Sequence, residues 1–591
     1  MKQEQSPSSI LTDHAMLVVW GQFAHCMGLI RAIEQVTLSQ KTVDHSPQSK
    51  VLEFLVAILG GLEYLKDISL SARPLDKDVA VAQAWGQDAW ADHSGVSRTL
   101  SSLTDAEIEQ IAAILERLSQ PFIDQEVAVR LAGGPLILDG DLTPRPVSNG
   151  SQTYPEAEYG HMNDRLQLGY QAAIVSLSSP TYGRIGLSAR QHSGKTVSAT
   201  QAEELALEAE RRLGRRPLRR TDLLAQRIEQ MLPQGQKLSG KVGEAQQGWA
   251  EAQAAQAEVA GQLAQALQEL SALEAEYAKK QRMERPQSYL SKARQRVEIY
   301  QRRLERRIRS IDKAQQWLAR QQDNYSAWAT HKAALEERLQ HFQAENAANP
   351  APIEAIFRLD AGFGTQENLA LLIEMGYEIY SKPFGNWLSG LLAEKSTDPQ
   401  DWQRVGANAE MKAWKAAALP DFPYPLDLGA LRFWQGHSYR NSALLHFGQQ
   451  QVCADLPAWF HDYNARQLIE AGNKEANQVF EIRHLKVRSR PALHLQEHFA
   501  LFAANFVRFA ALWLAQQCPQ VPDGWKNSAQ PQVKNQVKVG AHAPALVEWL
   551  GQDCLVRFSD RSVFAGRSFT VRRQLAIQLT LPWKFADFSP I

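Results

Sequence analysis

Positions Trp249, Ala252, Gln256, Val259, Leu263, Ala266, Leu270, Leu273 and Tyr277 follow one another three or four residues apart, the spacing of a coiled-coil seam. The pattern breaks at Glu284-Arg285-Pro286 and resumes at Leu290, Ala293, Val297, Tyr300 and Leu304. Two long helices joined at a proline turn are expected to fold back as an antiparallel hairpin, with an intermolecular coil as the other arrangement of the same pattern. The second limb carries Arg302, Arg303, Arg306, Arg307 and Arg309. A solvated helix face explains them slightly better than a phosphate-contacting arm.

On both sides of this segment the period changes. Residues 1–130 read as helices, with apolar runs at Leu52 to Leu65 and Ile108 to Leu118, and Thr104-Asp-Ala-Glu107 is a capping-box start. From Pro135 short apolar runs bounded by Gly, Pro or Ser predict strands at Leu136 to Thr143, Gln171 to Leu177 and Gly183 to Gln191, then a helix at Ala202 to Leu213. After the hairpin, Ala355 to Asp360 predicts a strand, Thr365 caps a helix to Met375, Gly376 ends it, and Tyr377 to Lys382 predicts another strand. Three strands followed by two, with crossover helices, make an α/β mixed sheet.

Seven segments follow: helices over 1–130, the first half of the sheet over 131–236, the coiled-coil insertion over 237–346, the second part of the sheet over 347–384, a mixed or β insertion over 385–460, helices over 461–518, and a small β-containing region over 519–591. In that last region strands are predicted at Val533 to Val539, Cys554 to Phe558 and Gln574 to Leu579. The insertion holds Trp387, Trp402, Trp414 and Trp434, which fit core or interface positions better than base-stacking ones.

Length and charge narrow the class. A chain of 591 residues supports several domains and ample burial, and its 64 Lys+Arg balance 64 Asp+Glu, so any nucleic-acid surface has to be local. Cys26, Cys453, Cys518 and Cys554 are isolated, which supports neither a zinc ribbon nor a disulfide framework and suits a reducing cytoplasm. The N-terminus lacks the basic-then-apolar order of a signal peptide. The most apolar long segment, Ala492 to Ala515, contains Glu497, Asn505, Arg508 and two histidines, so a buried core helix is expected and no membrane partner.

The candidate chemistry lies in three acidic blocks. Tyr463, Arg466, Glu470 and Lys474 stand at steps of three, four and four, which on one helix gives them a common face. Glu475 is five steps from Glu470, a turn of about 140° that takes it off that face. The run Pro135-Leu-Ile-Leu138 ends in Asp139-Gly-Asp141, and Ile356-Phe-Arg358-Leu359 ends in Asp360. A carboxylate at a strand's end lies at the rim of the sheet, where sites are built. Asp139 and Asp141 are two apart and share a face, so parity does not choose between them. Carboxylates with no His or Cys ligand set suit hard cations such as Mg2+ or Mn2+. Two further clusters are basic: Arg483, Lys486, Arg488 and Arg490 in eight residues, which fit a DNA backbone or an exposed loop, and Ser97-Arg98-Thr99 after a small-residue turn, which fits a helix-turn-helix or a plain helical bundle.

Together these blocks resemble bacterial insertion-sequence transposases of the Asp-Asp-Glu type. The glutamate block is similar to that group's Tyr-x2-Arg-x3-Glu-x6-Lys signature at Tyr463, Arg466 and Glu470, whereas the lysine position holds Asn477 and Lys474 lies one turn earlier. Arg358-Leu-Asp360-Ala-Gly362-Phe363 resembles the second aspartate motif, and Asp-x-Asp-x-Thr versions of the first favour Asp141, with Asp139 as fallback. The resemblance covers roughly 130–515 and implies a ribonuclease-H-like core. It further implies Asp141, Asp360 and Glu470 as catalytic carboxylates holding two Mg2+ ions (Mn2+ substituting), phosphate contacts from Tyr463, Arg466 and Lys474, double-stranded DNA as partner, and a homodimer on paired ends.

Overall fold

The computed structural model describes residues 9–573 apart from 43, 151–152, 163–164, 282–286, 396–397, 399–401, 421, 485–486 and 519–529. Residues 1–218 and 349–591 form one compact unit and 219–348 a second.

The first unit is organised on a mixed sheet. Its first half contains β2 (Leu136–Pro146), β3 (Glu158–Met162), β4 (Arg165–Ser179) and β5 (Gly183–Ser193), after a short N-terminal strand β1 (Ser9–Thr12). Its second half contains β6 (Ala355–Arg358) and β7 (Glu378–Ser381). β5 pairs antiparallel with β4 and β4 antiparallel with β2, while β6 runs parallel to β2 and β7 parallel to β6. The three-plus-two order expected from the sequence is therefore present, and β3 is an addition at the β4 edge.

Among the described residues seven α-helices precede β2: α1 (Ala15–Cys26), α2 (Leu29–Glu34), α3 (Pro47–Leu59), α4 (Asp67–Leu70), α5 (Val79–Ala84), α6 (His93–Ser101) and α7 (Asp105–Gly133). The capping box at Thr104 and Glu107 starts α7. Rather than standing as a domain of their own, these helices share a core with α15 (Arg490–Gln517), the apolar helix the sequence marks as buried. Phe509 of α15 stacks on Phe122 of α7 at 4.2 Å between ring centres, Phe499 meets Phe54 of α3, and Trp513 meets Phe23 of α1. Large aromatic surfaces removed from water on every side account for α15's apolar composition without a bilayer.

After β5 comes α8 (Ala202–Leu213), the helix predicted over the same residues. The second unit follows as α9 (Thr221–Lys279) and α10 (Gln287–Ala347). Arg294 pairs with Glu274 at 2.8 Å and Arg296 with Glu269 at 2.9 Å, so residue numbers rise on one helix as they fall on the other, and the hairpin is antiparallel. The seam residues Val259, Ala266, Tyr277 and Val297 are buried. The hairpin begins earlier than 237 because Pro233 lies inside α9 instead of ending it, and the seam extends back to Leu224 and Ile228. The five arginines from Arg302 to Arg309 are solvent-exposed.

Beyond β6 lie α11 (Gln366–Glu374), whose cap Thr365 accepts from the Asn368 amide, and α12 (Trp387–Glu394). The insertion is a meander, β8 (Gln403–Arg404), β9 (Ala409–Ala417), β10 (Leu426–Gln435) and β11 (Ser438–Phe447), that extends the main sheet through antiparallel pairing of β11 with β7. Arg432 lies 4.2 Å from the centre of the Trp402 ring and Lys412 5.4 Å from that of Trp414, while Trp434 packs edge-on against Tyr439. Trp387 is half exposed on α12.

The junction of insertion and sheet is electrostatic. His446 of β11 is fully buried between Asp427 of β10 and Glu378 of β7, each 3.0 Å away. Burial opposes its charge, but the two carboxylates outweigh burial and raise its pKa. The proton is therefore bound more tightly in the folded protein, and the stability it confers is complete below the ordinary value of about 6.5 and lost as pH rises through the raised value. The urea midpoint is expected to fall from pH 6.5 to pH 9 and to flatten in His446→Gln. An equally steep fall in the variant would show that another group titrates.

Toward the C-terminus come α13 (Leu456–Asn464), α14 (Gln467–Gln478), α15 and α16 (Gln530–Lys538), then β12 (Ala545–Leu550), β13 (Asp553–Phe558) and β14 (Ser568–Val571). β12 pairs with β1, so a segment near the start of the chain completes a four-stranded sheet of order β1-β12-β13-β14. The strand expected over Val533 to Val539 is the helix α16: Val533 and Val537, four apart, are both fully buried, which is helical rather than strand spacing. The strand predicted at Gln574 to Leu579 lies outside the described residues.

Candidate functional site

The two aspartate blocks meet through strand register. Asp139 of β2 lies opposite Arg358 of β6 in a parallel pair. Asp141 lies two residues farther along β2 and Asp360 two residues past the end of β6, and the Asp360 charge is the strongest one acting on Asp141. Gly140 points to the other side, where a Cβ would come within 2.9 Å of the Leu359 and Phe357 side chains, so both acids of the first block face the site.

Asp139 and Asp141 nonetheless differ. Arg358 donates to Asp139 from Nε at 2.6 Å and from Nη2 at 2.7 Å, and its Nη1 donates to the carbonyl of Asp462 at 2.8 Å. Both oxygens of the fallback Asp139 are thus engaged in a buried bidentate pair. Among the described residues no cation forms an ion pair with Asp141. The Asn473 amide donates to it at 2.5 Å, and burial followed by the charge of Asp360, with Glu470 adding and Arg466 opposing, pushes its pKa up to about 6. Three carboxylates therefore share one electrostatic neighbourhood, although they come from positions 141, 360 and 470.

The glutamate block departs from the single helix expected. Tyr463 belongs to the last turn of α13, Arg466 is the residue before α14, and Glu470 and Lys474 lie on α14. The junction is carried by tight i to i−3 bonds, Arg466 N to Tyr463 O at 3.1 Å and Ile469 N to Arg466 O at 2.9 Å, which keep Tyr463, Arg466 and Glu470 together. Tyr463 is buried, donates to the Leu359 carbonyl at 3.3 Å, and has its phenol pushed up to about 12, chiefly by burial. Arg466 Nη2 donates to Glu470 at 2.6 Å. Burial works against the Arg466 charge, but Tyr463, Asp141, Asp360 and Glu470 outweigh it and hold the guanidinium charged. Its Nη1 is buried with no hydrogen-bond partner among the described residues.

Lys474 is exposed and forms no ion pair with the carboxylates among the described residues. Asn477, at the resemblance's lysine position, accepts from Arg145 at 3.1 Å, and Arg145 is itself held by Glu497 at 2.7 Å. The lysine that faces the site is Lys382, just past β7, with Nζ 5.4 Å from the centre of the Tyr463 ring. Burial and Arg466 lower its pKa against the pull of Glu470 and Asp360. Lys382 and Asn473 carried no signal in the sequence, because their roles depend on contacts made only on folding, Lys382 with the Tyr463 ring and Asn473 with Asp141. Glu475 points elsewhere, into a buried pair with Arg508 at 2.7 and 2.8 Å.

The two basic clusters are not drawn into this group. Arg483 pairs with Glu481 at 3.1 Å, Arg490 with Glu156 at 2.8 Å, Arg488 is exposed, and Lys486 lies outside the described residues. Asp92 is the N-cap of α6, accepting from the Gly95 amide at 2.6 Å. Ser97 and Arg98 thus lie within α6, and Arg98 is exposed, donating to Ser94 at 3.2 Å.

Among the described residues no three His, Cys, Asp or Glu side chains form a ready metal cage, and Glu470 is turned toward Arg466. The donor set still fits a hard cation: it is all oxygen, and a positive charge beside Asp141 would relieve the repulsion that raises its pKa. No protein-family model matches the chain and no curated protein is detectably similar to it, so what the site does has to follow from these contacts.

Proposed function

We propose that the protein is a DNA transposase of the Asp-Asp-Glu type on a ribonuclease-H-like core, which hydrolyses phosphodiester bonds at the ends of a mobile element and joins the freed 3′-hydroxyls to target DNA. The observation that carries this is the meeting of Asp141, on β2, with Asp360, just past the end of the parallel strand β6, and with Glu470 near enough to help raise the Asp141 pKa. The three-plus-two sheet order supports the same core.

Asp141, Asp360 and Glu470 would hold two Mg2+ ions, or Mn2+. Such ions, when bound, activate the attacking oxygen and stabilise the leaving one in phosphoryl transfer. The chain's own residues prepare that step. Asn473 orients the Asp141 carboxylate, Tyr463 fixes the turn before Arg466, and the unpartnered Nη1 of Arg466 is a donor suited to a phosphate oxygen. The substrate is double-stranded DNA, engaged by a homodimer on paired ends in the cytoplasm.

The test uses the DNA that flanks the gene. Purified protein with Mg2+ is expected to nick those flanks and to join pre-cleaved 3′ ends to a plasmid, and Glu470→Gln is expected to do neither while still shifting the same fragments in a gel. Cleavage without joining would make the protein a nuclease. Cleavage by Glu470→Gln at the wild-type rate would remove the site assignment.

A further inference from the structure

Between α14, α15 and the strands β4 and β5 lies a cavity of about 30 Å³, its polar lining made by Arg145, Ser176, Arg184, Asn473, Glu497 and Asn505. That is room for a single particle about the size of a water molecule and too little for a phosphate or sulfate. Ser176 of β4 pairs with Gly186 of β5, two residues from Arg184, so the side chains of Ser176 and Arg184 project from the same face of the sheet. Part of the lining is satisfied by the protein. Glu497 accepts from Arg145 with both oxygens, at 2.7 and 3.3 Å, and Asn505 exchanges bonds of 2.8 and 2.9 Å with the Gly186 backbone.

Ser176 and Arg184 are not. Ser176 is 1% exposed, and its Oγ has no hydrogen-bond partner among the described residues. Arg184 reaches only the carbonyls of Leu468 and Ile469, both at a long 3.5 Å, and stands 3.8 Å from Glu475. That carboxylate is already taken at both oxygens by Arg508, as Asp139, the other acid acting on Arg184, is by Arg358. A buried hydroxyl without an acceptor and a guanidinium that shares its counter-charge both carry a cost, which an acceptor in the cavity removes. Asn473 and Asn505 spend one amide hydrogen each, on Asp141 and on the Gly186 carbonyl, and have a second to give. Donors on several sides of a guanidinium suit a small negative particle better than water, whose own hydrogens would meet a Glu497 already engaged by Arg145.

We propose that this cavity is a binding site for a monovalent anion of chloride's size, held by the Arg184 guanidinium and the Ser176 hydroxyl with the Asn473 amide as a third donor. The site stands apart from the carboxylate cluster yet is joined to it by one side chain, because Asn473 also donates to Asp141 at 2.5 Å. It does not rest on the transposase reading.

The experiment uses the full chain in EDTA, without DNA, and bromide as the probe. Replacing sodium gluconate by sodium bromide at constant ionic strength is expected to raise the melting temperature saturably, by about 1–2 °C. Ser176→Ala should need about 10-fold more bromide for half the shift, and Arg184→Gln should show no shift. Crystals soaked in sodium bromide should give an anomalous difference peak in the cavity beside Arg184 and Ser176. Equal melting temperatures in gluconate and bromide would overturn the proposal, and with a peak in the soaked crystal they would mean binding at crystal concentration only. A bromide shift unchanged in Arg184→Gln would place the ion elsewhere and overturn it as well. If Arg184→Gln does not fold, Ser176→Ala and the anomalous map carry the test: a wild-type bromide response in Ser176→Ala, or density in the cavity without anomalous signal, would make the occupant water.

Discussion

Asp141→Asn is expected to lose DNA cleavage by on the order of 10³-fold or more and, at neutral pH, to be more stable than the wild type. The first effect follows from removing a charge aimed at the reacting centre of a water-poor site. The second follows from linkage. The Asp141 pKa of about 6 in the folded protein stands above its ordinary value of 3.8, so the folded state favours the protonated acid. The cost of ionising it is absent below about pH 4, grows between about 4 and 6, and is complete above that. At 1.36 kcal/mol per unit its ceiling is about 3 kcal/mol. Urea unfolding at pH 8 should therefore show the variant ahead by up to that amount, and at pH 4 the two should coincide. Mg2+ should raise the melting temperature of the wild type and raise that of Asp141→Asn less, because the variant keeps only Asp360 and Glu470 to gain from the cation. Equal stability at both pH values, together with retained cleavage, would mean that Asp141 is an ordinary strand residue. A group that costs stability where it is ionised is retained for what its charge does.

How far the sequence led is clearest at the elements that need only local chemistry. The capping box of α7, the Thr365 cap of α11 and the whole of α8 were legible because neighbours three and four apart decide them. The five strands β2, β4, β5, β6 and β7 were legible as apolar runs. β3 was not, since Glu158-Tyr-Gly-His-Met162 is short and mixed and becomes a strand only by pairing with β4. The insertion was legible as a mixed or β segment, but its individual strands were not, for a related reason: its outer stretches are charged, and its inner end is fixed by His446 reaching across to Glu378. At the site, strand ends and helix steps exposed Asp141, Asp360, Arg466 and Glu470. They did not separate Asp139 from Asp141, because that distinction is made by Arg358, 219 positions from Asp139 in sequence.

Glu475→Gln should separate stability from chemistry in the opposite direction to Asp141→Asn. Glu475 has no exposed surface; it takes two bonds from Arg508 of α15, and Arg184 of β5 approaches it at 3.8 Å. Burial and the nearby Arg508 lower the Arg184 pKa to about 10. Without Glu475 these two guanidinium groups would face each other in the interior, an imbalance worth about 3–5 kcal/mol. Gly472 of α14 adds to the tightness of this contact, since a Cβ there would overlap Arg184. The trio therefore pins α14 against β5 and α15, and that anchoring presents Glu470, its side chain 45% exposed, on the side of the carboxylates. Glu470→Gln breaks only a partly exposed i,i+4 pair with Arg466, worth about 0.3–0.5 kcal/mol. The expected result is a crossed pair: Glu475→Gln much less stable in urea yet able to cleave at low temperature, and Glu470→Gln nearly as stable as wild type and unable to cleave. Glu475→Gln combined with Arg508→Met should recover part of the lost stability, because an uncompensated buried charge costs more than an apolar contact. If Glu475→Gln proved stable but inactive while Glu470→Gln still cut DNA, the two glutamates would have to exchange roles, and the helix face carrying Arg466 would no longer be the catalytic one.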